Sequence, residues 1–144
     1  MKFADELRQK AKENYQSPSE KTETTKCIYE KFVEKAALEE VKYIKDSCMQ
    51  AAAEGKFSKE IHLLFQPDLE MRRRGLRVWD VYPYIDYNLA SLGKSYSRVC
   101  ADFRRKVTSL LQEEGIRISS LKIESEWFDG DNDFMSRFVI KVEW

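Results

Sequence analysis

The sequence predicts an α+β fold in which about four helices, one of them long, pack on a four-stranded, mainly antiparallel sheet that ends in a C-terminal β-hairpin. Three observations lead to this prediction. A helical pattern spans residues 17–55, a glycine separates a helical from a strand-like pattern at Gly55, Gly75 and Gly115, and the C-terminal residues alternate as two hairpin arms. Such short helix-to-strand connections place helices on one face of a sheet.

The composition indicates one domain, residues 1–144, with a real hydrophobic core. Of the 144 residues 42% are hydrophobic, and the 25 basic residues balance the 25 acidic ones, so overall charge favours neither nucleic-acid nor membrane binding. No apolar run approaches the ~20 residues of a membrane span, and the N-terminal residues have no apolar signal region. Cys27, Cys48 and Cys100 lack CxxC spacing, which favours reduced thiols in a cytoplasmic protein.

Residues 2–15 predict a first helix with a thin apolar stripe at Phe3, Leu7 and Ala11. Because the stripe is weakly hydrophobic, residues 1–16 are expected to pack loosely on the rest of the domain.

Residues 17–55 predict the long helix. Ser17 and Glu20 form a capping-box pattern, Pro18 suits the first helical position, and Gly55 suits the left-handed position after the helix. Its apolar residues recur at spacings of three and four: Ile28, Phe32, Val33, Ala37, Val41, Ile44, Cys48 and Ala52.

This predicted helix is long for a domain of this size. Unbroken, it would span ~55 Å, against the ~25–30 Å expected for a compact chain of this length. Three solutions remain: the helix breaks near Thr24, it projects, or its apolar stripe packs against a second copy. We therefore expect a homodimer or higher oligomer through the 17–55 helix.

The middle of the chain alternates short strand and helix patterns. In chain order we predict a strand at 57–65, a short helix at 67–74, a strand at 76–82, an aromatic loop at 82–87, a helical turn that stops at Gly93, and an amphipathic helix from Ser95 or Ser97 to Gly115. The apolar stripe of the last helix contains Val99, Phe103, Val107, Leu110 and Leu111.

Residues 116–128 and 134–144 are the predicted hairpin arms, joined by a type II′ turn at Gly130-Asp131. The resulting register pairs Trp127 with Phe134, Ile123 with Phe138 and Leu121 with Ile140 on one face, and Glu124 with Arg137 on the other. A bulge at Ser119-Ser120 brings Ile116 and Ile118 into phase.

The candidate binding site is a segment rich in arginine and aromatic residues. Residues 71–106 hold nine basic residues against Asp80, Asp86 and Asp102. We call the following residues the Arg/aromatic set: Arg72, Arg73, Arg74, Arg77, Trp79, Tyr82, Tyr84, Tyr87, Lys94, Tyr96 and Arg98, with Arg104, Arg105 and Lys106 on the next helix.

Guanidinium groups and aromatic rings are typical of protein-interface hot spots, and they also suit nucleotides and single strands. The structural alternative is that Trp79 and some tyrosines belong to the core and that Arg72–Arg74 only cover a short helix.

No catalytic motif is recognisable: GxGxxG, Walker A, HExxH and GxSxG patterns are all missing. His62 is the single histidine and is expected to be structural or solvent-facing, although a pair with one of the cysteines stays open. Residues 129–133 place carboxylates at alternate positions, but Phe134 replaces the glycine of a calcium loop, so a polar turn is expected. We predict no catalytic activity, no metal and no cofactor.

The overall layout resembles that of small proteins from bacteriophages and mobile elements. The features that carry this resemblance are a Lys/Glu-rich helix ending in AAAEGKF, strands introduced by short glycine turns, and an apolar hairpin ending in Trp. The resemblance implies a non-catalytic binder, such as an inhibitor or a ligand sponge that counters host defence. It assigns no role to any residue.

These observations give two functional hypotheses. In the first, the protein is an inhibitor or adaptor that docks the Arg/aromatic set on a protein partner. In the second, the same surface captures a phosphate-bearing nucleotide or a single-stranded nucleic acid.

Overall fold

The computed structural model describes residues 2–15, 17–77, 92–129 and 133–144. Its elements, in chain order, are α1 (Phe3–Asn14), α2 (Pro18–Ala53), β1 (Ser58–Phe65), α3 (Pro67–Arg73), α4 (Leu92–Glu113), β2 (Arg117–Asp129) and β3 (Asp133–Glu143). The three strands form an antiparallel sheet in the order β1-β3-β2. The α+β class and the C-terminal hairpin are therefore confirmed.

A fourth strand is not shown. Leu76 and Arg77 lie in no strand, and the rest of the predicted strand at 76–82 lies outside the described residues, as does the predicted aromatic loop at 82–87. The predicted helical stop at Gly93 is wrong, because α4 already includes Leu92 and runs through Gly93 and the two serines proposed as its start.

The capping prediction for α2 is confirmed. The Ser17 hydroxyl accepts a hydrogen bond from the Glu20 backbone N–H, and the Glu20 carboxylate accepts one from the Ser17 backbone N–H, both at 3.2 Å. At the other end Gly55 has φ 82°, a conformation that favours glycine. The break proposed near Thr24 is wrong, since α2 is continuous there and the Thr24 hydroxyl bonds the Glu20 carbonyl within the helix.

The apolar stripe of α2 is buried within its own chain. The helix packs against α4 and β1. Its buried residues are Thr25, Tyr29, Phe32, Val33, Ala36, Ala37, Val41, Ile44, Cys48 and Ala51, whereas Ile28 is half-buried and Ala52 is exposed. Covering this stripe therefore needs no second copy.

The core lies between the helices and one face of the sheet. That face contributes Ile61, Leu63 and Phe65 from β1, and β3 adds Phe134, Phe138, Ile140 and Val142. The predicted stripe of α4 faces them, with all its members buried except the half-buried Leu110. Phe65 and Phe103 stack with ring centroids 3.9 Å apart, which joins β1 to α4.

The hairpin register is confirmed near its middle and wrong near its turn. Ile123 pairs with Phe138 and Leu121 with Ile140, and the predicted bulge appears as a register shift between Ile118 and Ser120. A second shift lies between Ile123 and Ser125, so the residue opposite Arg137 is Ser125, where we expected Glu124.

Beyond this second bulge the two faces of β2 are exchanged relative to the prediction. Trp127 pairs with Met135, and Phe128 takes the position opposite Phe134. Because side chains alternate along a strand, Phe128 then shares the core face with Phe134 while Trp127 points to the other face. The turn residues 130–132 lie outside the described residues.

A polar network ties α4 to the hairpin inside the core. The Arg104 Nη1 donates to Glu126 Oε1 at 3.1 Å and to Ser136 Oγ at 3.0 Å, and Ser136 Oγ donates to the same Glu126 oxygen at 3.1 Å. Ser97 Oγ donates to the other carboxylate oxygen at 2.9 Å. Arg104 is 8% exposed, so the carboxylate of Glu126 is its charge partner inside the protein.

Helix α1 contributes nothing to this core. None of its residues is buried, and Phe3 and Leu7 are 72% and 54% exposed. This agrees with the loose packing expected of residues 1–16.

The network predicts that Glu126→Ala lowers the free energy of unfolding by about 3–5 kcal/mol, because Arg104 loses the carboxylate that compensates its buried charge. Urea denaturation measures the change. Glu124→Ala is the matched control on the same strand and should cost less than about 1 kcal/mol, since its contact with His62 is exposed. Equal effects of the two substitutions would contradict the structural role of the network.

Candidate functional site

The structure divides the Arg/aromatic set. Four of its aromatic members, Trp79, Tyr82, Tyr84 and Tyr87, lie outside the described residues, and so does the side chain of Lys94. The remaining members lie on α3, just after it, and on α4.

Arg74 is mainly structural. Its guanidinium group bonds Glu70 of its own helix and Glu39 of α2, and it lies over the Phe32 ring at 5.9 Å from the centroid. Its side chain is only 14% exposed. The carboxylates gathered here also affect Glu40, whose pKa is raised by burial and then by the charges of Glu70 and Glu39. Arg74 therefore fastens α3 to α2 and is poorly placed to contact a partner.

Tyr96 belongs to the core. It is 4% exposed, and its ring packs against Phe134 and Phe128 at centroid distances of 5.9 and 6.4 Å. This burial favours the structural alternative for Tyr96, and its role in binding stays a prediction.

Apart from the buried Arg104, the other described arginines of the set are exposed. Arg72 contacts Asp68 at 3.4 Å and Arg73 contacts Glu70 at 3.2 Å, both along α3. Arg98 lies 4.0 Å from Asp102 on α4, and Arg77 is exposed just after α3. Since exposed ion pairs are weak, these side chains can exchange their local carboxylates for those of a partner.

The face of the sheet opposite the core is a surface that sequence reasoning missed. We call it the open face, because the packing of the described helices is on the other side. From β1 it presents Glu60, His62 and Leu64; from β3 it presents Met135, Arg137, Val139, Lys141 and Glu143; and from β2 it presents Arg117, Ser120, Lys122, Ser125 and Trp127.

The centre of the open face is apolar and aromatic. The Arg137 guanidinium carbon lies 5.5 Å from the centroid of the Trp127 ring, a cation–π contact. Leu64 is directly opposite Arg137 on the neighbouring strand and is 49% exposed. Met135 and Val139, on the same face of β3, are half-buried. An arginine stacked on tryptophan beside aliphatic side chains is typical of interface hot spots.

The charges of the open face are unevenly paired. Arg117 contacts Glu143 at 3.7 Å, and the two nitrogens of His62 lie 3.5 Å from Glu60 and 3.7 Å from Glu124. Three further cations, Lys122, Arg137 and Lys141, have no ion pair among the described residues. Of these three cations Arg137 contacts Trp127, whereas Lys122 and Lys141 lie further along the same face.

A sequence signal for this surface exists but is weak. The sequence pattern predicts Trp127 on the core face, because Leu121, Ile123 and Trp127 are separated by even numbers of residues and therefore lie on one side of a regular strand. A bulge at Glu124 puts Trp127 on the other side. The sequence signal for this bulge is the polar run Glu124-Ser125-Glu126, which offers no apolar residue to fix the register.

A groove of about 350 Å³ runs between α4 and β2. Its lining residues are Ala101, Arg104, Arg105, Thr108, Ser109, Gln112 and Leu121. Arg104 is one of the lining residues of this groove, although only 8% of the residue is exposed.

The geometry does not join His62 to a cysteine. His62 lies on the open face, with 63% of its side chain exposed, whereas Cys48 and Cys100 are buried on the core side and Cys27 is exposed on α2. Burial and the negative charge of Glu126 raise the pKa of the Cys100 thiol to about 12. A neutral, buried thiol is a poor nucleophile.

Within the described ranges, no group of three or more His, Cys, Asp and Glu side chains is arranged to hold a metal ion. Over the same residues, no helix is both long and apolar enough to cross a membrane. Comparisons of the chain with protein-family models, with curated proteins and with solved structures each found no match.

The contacts of the arginines predict that Arg74→Ala lowers the free energy of unfolding by about 1.5–3 kcal/mol, as expected for lost hydrogen bonds to charged groups. Arg72→Ala, on the exposed side of the same helix, should change it by less than about 0.5 kcal/mol. Urea denaturation of the two variants measures both changes in the free energy of unfolding. If Arg74→Ala leaves this free energy unchanged, Arg74 has no structural role and becomes a candidate binding residue again.

Proposed function

We propose that this protein is a non-enzymatic binding protein that acts as an inhibitor or adaptor by docking on a protein partner, and that the open face is its docking surface. The observation that carries the proposal is the Trp127–Arg137 stack, which stands beside exposed Leu64 on a sheet face that the described helices leave uncovered. The proposed docking surface is therefore the open face of the sheet and not the Arg/aromatic set.

The chemistry of the open face indicates the kind of partner. Tryptophan and arginine dominate interface energetics because they combine a large contact area with directional hydrogen bonds. The cations Lys122, Arg137 and Lys141 lie on the same face and have no ion pair among the described residues. A folded protein that presents aliphatic side chains ringed by carboxylates complements both features.

The exposed arginines of α3 and α4 are weaker candidates. Arg72, Arg73 and Arg98 each already face a carboxylate of their own helix, so a partner would have to compete with it. We assign them a supporting role at most.

The proposal predicts that Trp127→Ala combined with Arg137→Glu weakens partner binding at least about 30-fold, which corresponds to the ~2 kcal/mol of a hot spot. A photo-cross-linking amino acid in place of Val139 captures the partner, mass spectrometry identifies it, and calorimetry with the purified partner gives the Kd of each variant. Neither side chain is buried, so circular dichroism should show an intact fold.

The matched controls are Lys31→Glu on the exposed side of α2 and the same cross-linker in place of Gln112 on α4. Both should leave the open face untouched. An unchanged Kd in the double variant, or capture from the Gln112 position alone, would overturn the proposal.

A second candidate function is capture of a phosphate-bearing nucleotide or single strand. One specific observation favours it: Arg104 lines a groove together with Arg105, Thr108 and Ser109, so two guanidinium groups and two hydroxyl side chains border one cavity. Two parallel N–H groups of a fixed guanidinium match the oxygens of a phosphate.

For this second candidate, we expect nucleoside 5′-monophosphates to raise Tm. At a nucleotide concentration of 100 Kd, the free energy of unfolding should increase by about 2.7 kcal/mol. The effect should fall with salt and be lost in Arg105→Gln, but not in the control Arg117→Gln, whose side chain lies on the open face. A flat Tm across the nucleotide panel would exclude this function.

A further inference from the structure

The tip of the β2–β3 hairpin is compatible with two strand registers. In the structure, the bulge at Glu124 shifts the pairing by one residue, so Trp127 lies opposite Met135. Without that bulge, Trp127 would lie opposite Phe134. We call these two arrangements the bulged and the unbulged register. A shift of one residue exchanges the two faces of a strand, so the two registers present different side chains to the core and to the open face.

The local sequence favours the unbulged register. It would place Glu124 directly opposite Arg137, and opposite charges on facing strand residues stabilise a sheet. It would also leave Gly130 and Asp131 as a two-residue turn, for which glycine in the first position suits type II′. A bulge, in contrast, leaves one residue of the strand unpaired and interrupts the ladder of hydrogen bonds. Contacts elsewhere in the protein must therefore hold the bulged register.

Contacts with α4 supply this stabilisation. Only the bulged register puts Glu126 on the core face, where its carboxylate lies 3.1 Å from the Arg104 Nη1. The same carboxylate accepts hydrogen bonds from the Ser136 and Ser97 hydroxyls at 3.1 and 2.9 Å. In the unbulged register Ser125 would take the place of Glu126, and Arg104 would stay buried without this carboxylate. Removing one partner of a buried ion pair is strongly destabilising, because the remaining charge is uncompensated.

The aromatic contacts at the tip do not decide between the two registers. Phe128 packs against Phe134 and Tyr96, with ring centroids 5.3 and 6.4 Å apart, yet it is 45% exposed. Because this position opens to solvent, the larger Trp127 ring can replace Phe128 beside the same two rings without overfilling the core. The choice of register therefore depends on the buried ion pair.

We propose that the hairpin tip is a two-state element, and that the buried Arg104–Glu126 pair holds it in the bulged register. In the unbulged register Trp127 leaves the open face, and Arg137 pairs with Glu124 in place of its stack on Trp127. The register thus determines whether the Trp127–Arg137 stack exists. This inference does not depend on the proposed function, because the register is measured without a partner.

Removal of the buried positive charge tests the two-state element. In Arg104→Met the bulged register would enclose the Glu126 carboxylate without its cation, so the unbulged register should become the major state. A minor state is at most about 10% populated, so the ratio of unbulged to bulged molecules should rise at least about tenfold. Backbone nuclear Overhauser effects measure this ratio. A Trp127–Met135 contact reports the bulged register, and a Trp127–Phe134 contact reports the unbulged one.

Arg105→Met is the matched control. Arg105 is adjacent on α4, is exposed, and contacts Asp102 outside the network, so its removal should leave the bulged register unchanged. A second variant separates a change of register from general destabilisation. Adding Glu124→Lys to Arg104→Met should shift the ratio back toward the bulged register, because position 124 would then carry a positive charge opposite Arg137 in the unbulged one.

Relaxation-dispersion NMR of the unmodified chain gives a readout that requires no substitution in the core. Exchange between the registers should broaden the backbone signals of residues 124–129 and 133–137, and Glu124→Lys should suppress this broadening. A Trp127–Met135 contact retained as the major one in folded Arg104→Met, or an equal shift in Arg105→Met, would overturn the proposal. If Arg104→Met does not fold, the absence of exchange in the unmodified chain would overturn it.

Discussion

The β-bulge at Glu124 decides which side chains of the hairpin enter the core and which face outward. Without it, Glu126 would point away from α4, and Arg104 would be buried with no carboxylate to compensate it. With it, Phe128 packs against Phe134 on the core face of the sheet while Trp127 meets Arg137 on the open face. One extra residue in β2 thus determines both the buried ion pair and the candidate docking surface.

The length of α2 is the second constraint. From Ala37 to Ala51 its buried residues recur at spacings of four and three, an average of 3.5 residues, so the buried stripe turns slowly around the helix. A helix of 36 residues is ~54 Å long, more than the sheet and α4 can cover. Its N-terminal turns and the attached α1 therefore extend beyond the core.

Sequence patterns predicted the features that depend on neighbouring residues. The caps of α2, the stripe of α4 and the bulge at Ser119-Ser120 all follow from local spacing, and all are confirmed. The roles of Arg74 and Tyr96 depend on partners distant in the chain, namely Glu39 on α2 and the hairpin rings. No local pattern specifies such partners, so an arginine that fastens two helices looks the same in sequence as one that binds a ligand.

In the described chain, hydrogen-bonded polar groups lie inside the protein and several apolar side chains lie at its surface. In the described part of the chain, the buried polar side-chain atoms already have hydrogen-bond partners. In the Arg104 network, the Ser97 and Ser136 hydroxyls and the Glu126 carboxylate bond to other members of the network. The groups that still meet solvent on the open face include the Trp127 ring, the exposed Leu64 and the Arg137 guanidinium. Such a surface gains free energy when another molecule covers it.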